Sequence, residues 1–522
     1  EIAHDKSSHF WEMANLQDVK TSRFPEIEKG KIPLLDDSHI AMSVNLDACI
    51  HCNLCVRACR EVQVNDVIGL SGRGRDSKIT FDLDDEMGQS TCVACGECVQ
   101  ACPTGALMPS SVLDDFQIGD RRDTDKEVKS VCPFCGVGCQ VNLKVKENKI
   151  KFVDGINGPA NEGRLCVKGR FGFDYVHNPE RITKPLIRKE GVKKDPKERV
   201  DPLNPLSHFR EASWEEALDL AAKKLKEIRD SKDGDKALAG FGCAKGSNEE
   251  AYLFQKLVRI GFKNNNVDHC TRMCHASSVA ALMEAIGTGA VTAPVSEVKN
   301  ADVAIVIGAR PTQNHPVAAT FIKNAVKNGL KLIIMDPRKQ DLSRIAEKSL
   351  QFKPGADVAL LNAMINTIIE EGLVDRQYIE KNTDGYRELK EHVKDFTPEE
   401  MTNICGISPN EIRETARLFA NAKSAMIFWG MGISQHIHGT DNSRCLISLA
   451  LLTGNVGREG TGLHPLRGQN NVQGASDMGL IPMVLPDYLP IANQENVKFF
   501  EKYWNCEINP NPGLTVVEIM ES

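Results

Sequence analysis

Cys49-Ile50-His51-Cys52-Asn53-Leu54-Cys55-Val56-Arg57-Ala58-Cys59 and Cys92-Val93-Ala94-Cys95-Gly96-Glu97-Cys98-Val99-Gln100-Ala101-Cys102 repeat one pattern, C-x2-C-x2-C-x3-C. In such a doubled run each tight loop gives three thiolates to one cubane and its last cysteine to the other. Cys49, Cys52, Cys55 and Cys102 are therefore read as one [4Fe-4S] ligand set, and Cys92, Cys95, Cys98 and Cys59 as the second. Pro103 follows the second run as the pattern expects, whereas Arg60 stands after the first and leaves the ligand spacing intact. Zinc rarely uses such closely packed cysteines in duplicate, and disulfides suit small secreted chains.

A third set, Cys132, Cys135, Cys139 and the distant Cys166, brings to twelve of eighteen the cysteines that lie between Cys49 and Cys166. Taken alone this spacing also suits zinc. Its place directly after the doubled run favours a further redox centre, so the row reads as a wire.

The chain has 522 residues, too many for one ordinary core, so two or more domains are expected. It is 41% hydrophobic and 26% charged, with a formal net charge of -7, which gives no reason to expect nucleic acid. No run of about 18 apolar residues occurs, so no membrane span is expected. The start, Glu1-Ile2-Ala3-His4, lacks the layout of a signal peptide and reads as the edge of a fragment. Abundant cluster-type thiols fit a reducing compartment, the cytoplasm.

Residues 1–45 are polar and read as an extended linker, 46–110 as a ferredoxin-like module with two [4Fe-4S] clusters, and 111–128 as a second linker, the charged part being 119–130. Residues 129–190 form a small [4Fe-4S] domain, with the Pro- and Lys-rich 184–207 a surface connection. Ser213 and Glu216 form a capping box before a helical pattern at 214–229. Strands are read at 237–241, 303–307, 331–335 and 425–429. Helices are read at 249–260, 318–326 and 358–369, and from Ser408 with Glu411 to 420. This alternation indicates α/β domains with parallel sheets, doubly wound: a first from 191–269 and 470–522, incomplete, and a second from 270–469.

Ligands in such folds sit beyond the carboxyl ends of the strands. Four polar, glycine-rich loops stand there: Gly242-Cys243-Ala244-Lys245-Gly246-Ser247-Asn248, Gly308-Ala309-Arg310-Pro311-Thr312, Asp336-Pro337-Arg338 and Gly430-Met431-Gly432. Bare backbone amides approach phosphates closely, although each loop alone is ordinary turn chemistry. Together the four favour a large phosphate-bearing ligand. Two further candidates are Cys274-His275, where a buried thiol competes with metal ligation or proton transfer, and Arg467 in Leu466-Arg467-Gly468-Gln469-Asn470-Asn471, suited to gripping a carboxylate.

Many of these stretches resemble the catalytic (alpha) subunit of molybdenum- or tungsten-dependent formate dehydrogenases, especially the soluble NAD-linked kind. They are 49–66, the Cys132 to Cys139 run, Leu165-Cys166-Val167-Lys168-Gly169-Arg170-Phe171-Gly172, 264–278, Asn314-His315-Pro316, Trp429-Gly430-Met431-Gly432 and 467–474. The resemblance implies a molybdopterin oxidoreductase fold with three [4Fe-4S] clusters and bis-molybdopterin guanine dinucleotide carrying Mo or W. Cys274 would ligate the metal, His275 would be proton acceptor or electrostatic partner, and Arg467 would orient formate. Lys168 would lie between the third cluster and a pterin. The pterin contacts would come from Lys168, Gly242, Lys245, Asn248, Gly308, Asn314, His315, Asp336, Arg338, Gly430, Gly432 and Gln469. Formate would become carbon dioxide reversibly, with electrons passing to flavin- and iron-sulfur-containing NAD-reducing subunits.

The chain departs from that pattern at both ends. No cysteine precedes Cys49, so the further amino-terminal clusters of NAD-linked relatives are not expected, and the family's final cofactor-capping domain and part of the preceding α/β domain are expected to be missing. Rival readings are a non-catalytic iron-sulfur subunit of the respiratory NADH dehydrogenase type, another molybdopterin oxidoreductase such as a nitrate reductase, and a structural zinc protein. The Cys-His pair with Arg467 argues against the first two, and the zinc protein is the most remote of the three.

Overall fold

The computed structural model describes residues 8–21, 33–114, 119–195 and 197–522. The chain divides into two compact units, one of 1–173 with 274–470 and one of 174–273 with 471–522.

At the centre of the first unit is a five-stranded sheet of β1 (Val303–Ile307), β2 (Lys331–Met335), β3 (Lys348–Leu350), β4 (Ala425–Trp429) and β5 (Gly462–Pro465). The spatial order is β3-β2-β1-β4-β5 and every pairing is parallel. This is the doubly wound order, whose direction reverses between β1 and β4. Both faces are buried, which is why β1 and β4 are apolar throughout. Val303, Ile305, Ile307, Ile427 and Trp429 face the helices Asp357–Glu370, Pro409–Ala420 and Gly439–Leu452. Ala304, Val306, Met426 and Phe428 face the helix Pro316–Lys327 and the domain carrying the third cysteine set, including Cys132, Cys139, Leu165 and Cys166.

That domain is an antiparallel sheet of Lys126–Val131, Gln140–Lys146 and Lys149–Gly155. Its first strand falls where the charged linker was expected. All six of its side chains are exposed, so no apolar alternation marks it, and Glu127 pairs across to Asn142 and Lys144 instead.

The ferredoxin-like module has pseudo-twofold loops. His51 and Asn53 take positive φ (55° and 62°) before the short helix Leu54–Arg57; Ala94 and Gly96 repeat this (54° and 67°) before Glu97–Ala101. Met42–Val44 pairs antiparallel with Leu107–Pro109, so the module begins slightly before residue 46. The supposed extended linker 1–45 also holds a helix, His9–Leu16, started by Ser8 Oγ accepting from the Trp11 amide. Residues 1–7 and 22–32 of that stretch lie outside the described residues, as do 115–118.

In the second unit, Gly240–Gly242 pairs parallel with Val267–His269. The strand read at 237–241 thus starts later, because Gly234–Ala237 closes a helical turn first. Within the supposed connection 184–207, Leu186–Arg188 pairs with Phe209–Glu211. Ser213 caps Trp214–Arg229 by accepting from the Glu216 amide at 3.1 Å. The Glu216 carboxylate turns to Arg210, so only half the capping box forms.

Candidate active site and cluster sites

Beyond the carboxyl ends of β1 and β4 lies a cavity of about 620 Å³. Gly308, Gly430 and Gly432 form its floor. Gly308 has φ +56, and a Cβ on Gly432 would come within 2.7 Å of the Gly308 Cα, so the two loops cross at backbone distance. Lys168, Asn314, His315, Asp336 and Arg338 line the same cavity. Arg310 adds a third cation. Asp357, which the sequence reading passed over, adds a carboxyl that burial pushes above its ordinary range. Glycine-paved backbone beside three cations is chemistry that suits a phosphate-bearing ligand. Gly242, Lys245 and Asn248 belong to the second unit, where Ser247 forms a capping box with Glu250 and the Asn471 side chain donates to Asn248 Oδ1 at 2.9 Å. Gln469 follows Gly468, a cavity residue.

Cys274 and His275 reach two residues that line the cavity, Met431 and Leu466, and Arg467 directly follows Leu466. Cys274 Sγ lies 3.4 Å from Met431 Sδ, and Met431 lines the cavity. His275 is fully buried and its Nε2 donates to the Leu466 carbonyl at 3.0 Å. Its Nδ1 then accepts from Ser434 Oγ at 3.0 Å. Ser434 is bonded in turn to Ser278 at 2.7 Å, which accepts from Trp429 Nε1 at 2.8 Å. The ring is thereby fixed in its neutral Nε2–H form, and burial, aided by the Arg467 charge, lowers its pKa to about 3.

Arg467 is also buried. Its Nη2 donates to the Gly289 carbonyl at 2.6 Å. Its own carbonyl accepts from His315 Nε2 at 2.7 Å and from the Gly136 amide at 3.1 Å. Gly136 belongs to the loop of the third cysteine set, so that loop touches the backbone of Arg467. None of Met431, Ser278, Ser434 or Gly136 carries a signal in the sequence by itself; all sit in stretches whose glycines or small residues look like ordinary turns.

Cys132, Cys135, Cys139 and Cys166 line one enclosed cavity with Leu165, Gly169 and Pro316. Cys49, Cys52, Cys55 and Cys102 line a second cavity, with Cys52 exposed. Cys92 and Cys98 lie close enough to Cys59 for its charge to raise their thiols. Burial, then the neighbouring sulfurs, pushes Cys55 to about 12, and burial likewise raises Cys132 to about 11. Burial thus favours neutral thiols, and only a cationic centre such as a cluster would hold these sulfurs as thiolates.

Comparison with known proteins agrees with this geometry. The family model for molybdopterin oxidoreductase matches residues 181–521, that for the molybdopterin oxidoreductase Fe4S4 domain 125–178, and that for a 4Fe-4S dicluster domain 48–106. The chain belongs to the molybdopterin oxidoreductase family. It is 40% identical to the F420-dependent formate dehydrogenase subunit alpha of Methanocaldococcus jannaschii over 76% of this chain and 55% of that protein. It is 40% identical to formate dehydrogenase H of Escherichia coli over 76% and 54%. With the probable oxidoreductase YjgC of Bacillus subtilis it shares 34% over 93% and 51%. The chain thus spans about half the length of these relatives. The acetylene hydratase of Pelobacter acetylenicus shares the fold with a TM-score of 0.57 and 25% identity, covering 65% of this chain and 44% of that one.

Proposed function

We propose that this chain carries the formate-oxidising centre of a formate dehydrogenase. The observation that carries the reading is the cavity suited to a phosphate-bearing cofactor, whose lining residues Met431 and Leu466 are touched by Cys274 and His275, with Arg467 next in the chain after Leu466. The names of the relatives at 40% identity support it.

Cys274 ligates Mo or W in this reading, and the cavity residues from Lys168 to Gly432 hold a pterin guanine dinucleotide. Gly242, Lys245 and Asn248 on the second unit are read as further pterin contacts, as is Gln469 on the first. When bound, the metal-pterin group supplies a two-electron acceptor for the hydrogen and electrons of formate. The protein's own part is electrostatic. The Arg467 guanidinium, desolvated and braced by Gly289, is a fixed cation suited to a carboxylate, an interaction worth more there than in water. His275 keeps its proton on Nε2, bonded to Leu466, and burial beside the Arg467 charge disfavours a second one. Its role is therefore that of a neutral partner fixing the Leu466–Arg467 segment rather than that of a base. Two [4Fe-4S] clusters in the doubled run and one at Cys132, Cys135, Cys139 and Cys166 complete the assignment. Lys168 stands between the last of these and a pterin. Electrons leave for a flavin- and iron-sulfur-containing NAD-reducing partner in the cytoplasm. No helix among the described residues is long and apolar enough to cross a membrane.

The test is formate-dependent dye reduction by the full-length subunit with Mo, W, Fe and Zn analysis. Cys274→Ala abolishes turnover. Arg467→Ala lowers kcat/KM for formate by about a hundredfold, the scale of losing one charged anchor. Unchanged turnover in both variants sinks the site, and zinc without iron sinks the clusters.

A further inference from the structure

Buried charge in the first unit is concentrated against one ligand loop. Arg170, 2% exposed, lies one helical turn after Cys166 and reaches across to the second cysteine run. Its Nε donates to the Cys95 carbonyl at 2.8 Å, and its Nη1 to Gln100 Oε1 at 2.8 Å and the Val153 carbonyl at 3.2 Å. Its Nη2 meets Glu97 at 3.3 Å, and Asp154 stands 3.6 Å from Nη1. Gln63, four residues after Cys59, donates to Glu97 at 3.1 Å and to the Leu165 carbonyl at 3.0 Å. Segments bearing Cys95 with Cys98 and Cys166 therefore meet on one guanidinium, and the segment after Cys59 joins them through Glu97. Lys323 brings a second cation from the helix Pro316–Lys327, donating to the carbonyls of Gln63 at 3.0 Å and Val64 at 2.8 Å and to Asn65 Oδ1 at 2.9 Å. No cation is among the residues lining the cavity of Cys49, Cys52, Cys55 and Cys102.

We propose that Arg170, seconded by Lys323, is a positioning residue that raises the reduction potential of the cluster held by Cys92, Cys95, Cys98 and Cys59 relative to its twin. Reduction adds one electron to a site already ringed by four thiolates, with no bond made or broken. Burial opposes that added negative charge, and a fixed cation in the same low-dielectric surroundings favours it. Glu97 and Asp154 cancel part of the cation's effect. At Cys95 the charge of Arg170 acts more strongly than that of the Glu97 carboxylate. The inference rests on the cluster assignment made above.

Potentiometric titration of the full, cluster-loaded subunit, followed by electron paramagnetic resonance of its reduced clusters, tests it. Arg170→Gln shifts the reduction equilibrium of one cluster about tenfold toward the oxidised form, about 59 mV for a one-electron couple, and leaves the other signals in place. Arg170→Lys recovers most of that shift. Lys323→Gln moves the same signal less far in the same direction. Glu97→Gln moves it the opposite way, which loosened packing does not do. Unmoved potentials in Arg170→Gln with iron intact, or equal shifts in Arg170→Gln and Arg170→Lys, overturn the proposal. So does loss of a cluster from Arg170→Gln when Glu97→Gln and Lys323→Gln leave every potential in place. Iron and spin counts of the unsubstituted subunit check the cluster assignment separately: a ferredoxin-like module with fewer than two [4Fe-4S] signals removes that premise, whatever Arg170 does.

Discussion

At Asn53 and at Gly96 the two cysteine loops of the ferredoxin-like module turn through the same left-handed backbone, and the next residue starts a short helix in both. The residues that follow differ: Leu54 is 39% exposed, whereas Glu97 is 9% exposed and bonded to Arg170 and Gln63. Cys52 faces solvent; its counterpart Cys95 is buried. One repeated sequence has thus produced an open site and an enclosed one, and the enclosure comes from the third-cluster domain rather than from the repeat. A motif fixes which ligands are offered, but neighbouring domains decide how each site behaves.

The sharpest way to break this comparison is cluster removal. Under an iron chelator the proposed cluster of Cys49, Cys52, Cys55 and Cys102 is lost entirely while that of Cys92, Cys95, Cys98 and Cys59 persists, seen as loss of one of two paramagnetic signals; equal loss rates refute the distinction. Next, Gly96→Asn destabilises the subunit by about 3 kcal/mol in denaturant unfolding, although asparagine occupies the equivalent position 53. A Cβ at 96 would stand 2.1 Å from Arg170 Cδ, so the added side chain overpacks the enclosed site. Gln63→Ala costs about 1–2 kcal/mol because it removes donors from a buried carboxylate and a buried carbonyl. Asn53→Gly, the mirror change on the open side, shifts stability by less than about 1 kcal/mol.

Much of this was legible in the sequence, for reasons that also mark where reading stopped. The cysteine spacing states the ligand runs because metal chemistry demands it locally. β1, β2 and β4 were legible at 303–307, 331–335 and 425–429 because two buried faces leave an apolar run with no polar interruption. Lys126–Val131 was not, since an exposed edge strand held by cross-strand charges has the composition of a linker. The network of Arg170 was equally hidden. Its members Gln63, Glu97 and Val153 lie far apart in sequence, and no local pattern announces that they meet. The strand-end loops looked like one set, yet Gly242, Lys245 and Asn248 stand on a different compact unit from Gly308 and Gly430. Periodicity shows where a strand ends and not which sheet it joins.

The contact between Gly136 and Arg467 ties the loop of the third cysteine set to the proposed formate anchor. The Gly136 amide holds the Arg467 carbonyl, and a Cβ at 136 would come within 2.4 Å of that oxygen. A side chain at 136 therefore has to displace either the cysteine loop or the Arg467 backbone, so one small residue keeps a proposed electron-carrying site and a proposed substrate site in mutual register.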